Sequence, residues 1–226
     1  MKPARFLSSI AFLAVNVHAN TEKIIFVAPP ANHISQLGEL RGLDVLAPAT
    51  PSLRTALSVA FPTATASKEP QGVESWFLLS DLNPGQRYEV RVCWAAVQPT
   101  TFWIDTFEPS AILDDEQLFQ KLSDYSQSRT DKAAKTANDQ RPSVLFLRIT
   151  AAADFFTTNA TLMQHPPPVD VDIILDPFIG NIFPKSLVPT VIYIIALAIG
   201  SWLISGYAWQ FLTGTSNAQP KKPHTD

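Results

Sequence analysis

Residues 187–212, LVPTVIYIIALAIGSWLISGYAWQFL, contain no Asp, Glu, Lys or Arg. An α-helix rises about 1.5 Å per residue, so some 20 apolar residues cross the roughly 30 Å hydrocarbon core of a bilayer. Ile192, Ile194, Ile195, Leu197, Ile199, Leu203 and Ile204 fall all round such a helix, whereas a surface helix keeps a polar stripe. Tyr207 and Trp209 are amphipathic and suit the exit interface. Pro189 sits in the first turn, where its missing N–H costs little. A transmembrane helix over 187–212 is expected. It places everything before it on one side of a membrane and leaves a short tail, 213–226, on the other.

The N-terminus reads as a secretory signal over 1–19. Lys2 and Arg5 precede a short apolar run, and Val17-His18-Ala19 allows a cut after Ala19. Cleavage leaves a single-pass type I chain with residues 20–175 as a lumenal or extracellular domain; an uncleaved anchor is the alternative. Lys221 and Lys222 follow the helix, in the sense of the positive-inside rule, while Lys185 stands just before it. A net charge of −3 offers no electrostatic basis for binding nucleic acid. Cys93 is the only cysteine, so no disulfide forms within the chain even in a compartment that permits one. Asn159-Ala160-Thr161 is an N-glycosylation sequon, expected on an exposed lumenal loop.

The lumenal region reads as mainly β. Short apolar runs at 23–27, 43–46, 52–61 and 76–79 are separated by prolines and polar turns. After Pro84-Gly85, the residues Tyr88, Val90, Val92 and Trp94 alternate with Glu89, Arg91 and Cys93, as in a half-buried antiparallel strand. Leu82-Asn83-Pro84-Gly85 leading into Tyr88 resembles the tyrosine corner of immunoglobulin-like and fibronectin type III sandwiches. Residues 100–107 are expected to return beside 88–94 as a hairpin. Asp114 and Asp115 are expected to cap a helix with Leu118, Phe119, Leu122 and Tyr125 on its apolar side. From Ser126 to Gln140 the polar composition predicts a loop or frayed helix. Residues 144–150 and 169–175 complete the strands, the latter preceded by the stiff spacer Pro166-Pro167-Pro168.

Catalytic motifs are weak. Asp170 and Asp172 have the Asp-x-Asp spacing that holds a divalent cation, but strand alternation gives the same spacing, and no phosphate loop lies beside them. Asp105 and Glu108 have no supporting feature as an acid–base pair. His33 and His165 lack metal-ligand spacing. No cofactor is expected.

Residues 176–186 carry more information. This segment is apolar, aromatic and proline-punctuated, where a tether would be polar and flexible. It suits either seating at the lipid interface or docking onto a polytopic membrane partner. Asp176, Pro177, Phe178, Asn181, Phe183, Pro184, Ser186 and Pro189 are the docking candidates. Asp176-Pro177-Phe178, Asn181 and Pro184-x-Ser186-Leu187-x-Pro189, running into a lone C-terminal helix, resemble the fungal Pga1 family. That resemblance implies a noncatalytic accessory subunit of GPI mannosyltransferase II in the endoplasmic reticulum membrane. Its partner would be the polytopic catalytic subunit, which adds the second mannose to the GPI precursor. A lumenal receptor or cargo adaptor, or an accessory subunit of the first GPI mannosyltransferase, has the same outline.

Overall fold

The computed structural model describes residues 19–31, 42–62, 71–129 and 143–216. The expected signal segment before Ala19, His33, most of the 126–140 loop, and the tail with Lys221 and Lys222 lie outside the described residues. The chain forms two units, one ending at Ile182 and one starting at Phe183.

The first unit is mainly β. One sheet has the order β1 (Ala19–Val27), β5 (Arg87–Ala95), β8 (Val169–Ile179), β3 (Ser52–Leu57). Its pairs are antiparallel throughout. The other has the order β2 (Asp44–Leu46), β4 (Val73–Leu79), β7 (Leu145–Ala153), β6 (Thr100–Phe107). Here β2 runs parallel to β4 and the other pairs are antiparallel. Val90, Val92, Val171, Ile173 and Leu175 from the first sheet meet Phe77, Leu79, Leu147 and Ile149 from the second in one buried core. Each such side chain contributes about 1.5–3 kcal/mol on leaving water.

Two short helices cover the far face of the second sheet. These are α1 (Pro109–Asp114) and α2 (Glu116–Ser128), whose Ile112, Leu118 and Leu122 pack with Trp76, Leu78, Val144 and Phe146. Sheet two is thus buried on both faces. That explains why β4 and β7 read as near-continuous apolar runs, while β5 alternates. Asp115 caps α2 as expected, its side chain accepting from the Gln117 and Leu118 N–H groups. Helix α2 continues through Ser126, which is buried, to Ser128, so the helical alternative holds for the start of the 126–140 stretch. Phe119 is exposed and stands off the packed side of α2.

The expected hairpin between 88–94 and 100–107 does not form. Both edges of β5 are taken, by β1 and β8, so β6 crosses to the other sheet and pairs with β7. Trp94 and Phe102 meet edge-to-face across that crossing, ring centroids 4.6 Å apart.

The second unit, described by itself, has an extended pair Phe183–Pro184, a single 3-10 turn Lys185–Leu187 and a long helix, Val188–Ser216. One further short helix in the first unit, Ala160–Gln164, precedes β8. In chain order the helices are α1, α2, α3 (Ala160–Gln164) and α4 (Val188–Ser216). Helix α4 is long and apolar enough to cross a membrane, and its apolar side chains are exposed on every side.

Candidate functional site

The chain leaves the sandwich through a tight turn, and that turn is bonded to the tyrosine corner. Strand β8, expected to stop at Leu175, runs on to Ile179. Gly180 and Asn181 then have φ of +57° and +59°, and the Ile182 N–H donates to the Ile179 carbonyl at 3.1 Å. Two successive positive-φ residues are the signature of a type I′ turn, and Gly followed by Asn tolerates it.

Asn181 is held from several directions. Its Oδ1 accepts the Arg87 backbone N–H at 2.8 Å, and its Nδ2 donates to the Gly85 carbonyl at 3.1 Å. The Arg87 guanidinium donates to the Asn181 carbonyl at 3.1 Å and lies 5.8 Å from the centre of the Phe178 ring. Gln86 Nε2 donates to the Phe178 carbonyl at 3.0 Å. On the other side of the same turn, Tyr88 Oη accepts the Asn83 N–H and donates to Gln86 Oε1, both at 3.0 Å. Tyr88 is fully buried, and burial raises its phenol pKa against the opposing effect of the Asn83 bonds. The end of β1 joins the same cluster, because Ala28 exchanges backbone bonds with Gln86 and Gly85. The tyrosine corner predicted from Leu82 to Tyr88 therefore forms. It also fastens the ends of β1 and β8 at the point where the chain departs for α4.

Behind this clamp lies a compact charge cluster. Glu89 and Asp176 face each other across β5 and β8, and both are buried. Arg91 reaches Glu89 and Asp176 at 3.3 Å each, and Lys23 reaches Glu89 at 3.1 Å. Two buried carboxylates side by side are tolerable only with such partners.

The docking candidates separate into groups. Asp176 and Phe178 are buried in β8 and are not open to a partner. Pro177 is half-buried opposite Tyr88. Asn181 is exposed, yet its side chain is engaged in the clamp. Phe183, Pro184, Ser186 and Pro189 belong to the second unit, where Ser186 and Pro189 are exposed. Gln86 and Arg87, the other halves of the clamp, were not singled out by sequence; they lie more than 90 positions from their partners, and no local pattern links them.

The carboxylates weighed for chemistry are held by cations. Asp172 takes a bidentate contact from Arg54 at 2.7 and 2.8 Å, which lowers the acid's pKa and raises the guanidinium's. Asp170, two residues earlier, is exposed on the same face. Asp105 accepts from Arg148 at 2.8 and 3.2 Å, and Glu108 stands just before α1. Among the described residues no group of three or more His, Cys, Asp or Glu is placed to hold a metal ion. Cys93 is a free thiol, half-buried, accepting from Thr21 Oγ1 at 3.4 Å. Asn159 is exposed, at the start of α3.

Comparison with known proteins bears on what the clamp and helix serve. The chain matches the Pga1 family, described as GPI-mannosyltransferase II co-activator, over residues 10–207. It is similar to a GPI mannosyltransferase 2 subunit of Schizosaccharomyces pombe, 21% identical over 134 residues. That similarity covers 59% of this chain and 55% of the relative, so the chain spans about half the length of the curated relative it matches. No solved structure matches it. The family match runs through both sheets, the exit clamp and most of α4, and on that extent this chain belongs to the Pga1 family of GPI-mannosyltransferase II co-activators.

Proposed function

We propose that this chain is a noncatalytic subunit of GPI mannosyltransferase II, anchored in the endoplasmic reticulum membrane by α4, with its sandwich in the lumen. It supports addition of the second mannose to the GPI precursor by holding the polytopic catalytic subunit. The observation that carries this reading is the family match through the sandwich, the clamp and the helix. Asp105, Asp172 and Asp176 are each paired with an arginine of the same sheet. The exit clamp gives the sandwich a fixed departure point for the chain. Contact with the partner is made by α4 together with Phe183, Pro184, Ser186 and Pro189.

The test combines depletion with recovery. Cells lacking the chain accumulate the GPI precursor bearing one mannose, and a mild-detergent pulldown of the tagged full chain brings down one polytopic mannosyltransferase in stoichiometric amount. Normal progress past the second mannose, or recovery of secreted and cell-surface proteins alone, overturns the proposal.

A further inference from the structure

Between β7 and α3 the chain runs Asp154-Phe155-Phe156-Thr157-Thr158-Asn159-Ala160-Thr161. The two phenylalanines behave oppositely. Phe155 turns inward and packs edge-on against Phe61, ring centroids 5.0 Å apart. Phe156 is 85% exposed, the most exposed aromatic side chain among the described residues. An apolar ring left in water gains by being covered.

Three residues later, Asn159 is held in one orientation. Thr157 Oγ1 accepts the Asn159 N–H at 3.2 Å, and Asn159 Oδ1 accepts the N–H groups of Thr161 and Leu162 at 3.0 and 3.4 Å. The cap uses only the oxygen of the carboxamide. Nδ2 is the end it does not use, and Thr161 supplies the sequon hydroxyl.

We infer that Asn159 carries an N-linked glycan whose first N-acetylglucosamine covers the ring of Phe156. This rests on the lumenal placement proposed above. A pyranose presents a face of C–H groups, and an aromatic face carries the negative part of its quadrupole, so the two attract. In the transfer, Nδ2 forms a bond to C1 of a lipid-pyrophosphate-linked oligosaccharide. The bond from C1 to the phosphate oxygen breaks, the lipid pyrophosphate leaves, and one Nδ2 proton passes to a base of the transferring enzyme. Oδ1 is untouched, so the bonds to Thr161 and Leu162 persist in the glycosylated chain.

The full chain, tagged and expressed in eukaryotic cells, is treated with endoglycosidase H. A mobility shift of one glycan is expected, absent in Thr161→Ala. Thermal melting in detergent then compares the chain trimmed to one N-acetylglucosamine with Thr161→Ala, which blocks the sequon and keeps the Asn159 cap, each with and without Phe156→Ala. The sugar raises the melting temperature by about 2–4 °C when Phe156 is present, and by less than about 1 °C in Phe156→Ala. Equal rises in both backgrounds overturn the contact. No shift, in a chain whose sandwich is protected from external protease, overturns the glycan and leaves the subunit reading standing. Resistance to endoglycosidase H with release by peptide N-glycosidase supports the glycan and counts against residence in the endoplasmic reticulum.

Discussion

Asn181 holds Arg87 at both ends of the residue: its side-chain oxygen accepts the Arg87 backbone N–H, and its carbonyl accepts the guanidinium. This pair closes the exit turn onto the start of β5, so the last ordered point of the sandwich is fixed by bonds and not only by strand pairing. Asn serves here for two reasons. It tolerates φ of +59°, and its carboxamide both donates and accepts.

Replacing Asn181 separates the two reasons. Asn181→Gly keeps the backbone conformation and loses both side-chain bonds, a cost of about 1–2 kcal/mol. Asn181→Ala adds the strain of a Cβ at positive φ, roughly 1 kcal/mol more. Thermal melting of the detergent-solubilised chain ranks the two. Equal melting of both variants with the parent would mean the clamp does not stabilise the unit.

Tyr88→Phe removes the acceptor of the Asn83 N–H and costs about 1–2 kcal/mol. The parent chain also carries an alkaline signature. Burial raises the Tyr88 pKa in the folded state, so the phenol's contribution is complete below the ordinary tyrosine value of about 10. It is lost as the pH rises through the raised value. Melting followed upward from pH 9 should show a decline that Tyr88→Phe lacks.

Asp172 gives the matching signature in acid. Its pKa is lowered chiefly by the Arg54 hydrogen bonds. The pair's contribution is therefore present above the ordinary Asp value of about 4 and lost as the pH falls through the lowered one. Both groups are exposed to solvent, so the effect is small and weakens with salt. Asp172→Asn should flatten only this part of the acid limb. An unchanged acid limb would show that the ion pair does not persist in solution.

Gly72→Ala tests the entry to β4. A Cβ at residue 72 would lie 2.4 Å from the Ala151 carbonyl oxygen, against backbone that cannot rotate away. The expected loss is about 1–3 kcal/mol, read as a lowered melting midpoint. Parent-like melting would mean that β7 gives way at Ala151 without cost.

The membrane role of α4 is tested by charge. Ile194→Arg with Leu197→Arg raises the cost of insertion by roughly 5–7 kcal/mol. The doubly substituted chain should be released from membranes by alkaline carbonate, while the parent stays in the pellet. Retention of both equally would mean that α4 does not hold the chain in the bilayer.

Helix α4 can be read from the chain without any fold, since length and the absence of charge need no tertiary partner. So can the inward row Tyr88, Val90, Val92 and Trp94, because strand side chains alternate with period two. The tyrosine corner was legible because its bonds are local, Asn83 to Tyr88. The pairing of β6 with β7 came from the assembled fold, because a free strand edge is a property of the finished sheet. The fold likewise decided that Asp176 and Phe178 are buried and that Asn181 meets Arg87. A strand flanked on both edges and a bond between residues 94 positions apart depend on which segments come together, and that follows from the burial of both sheets in one core.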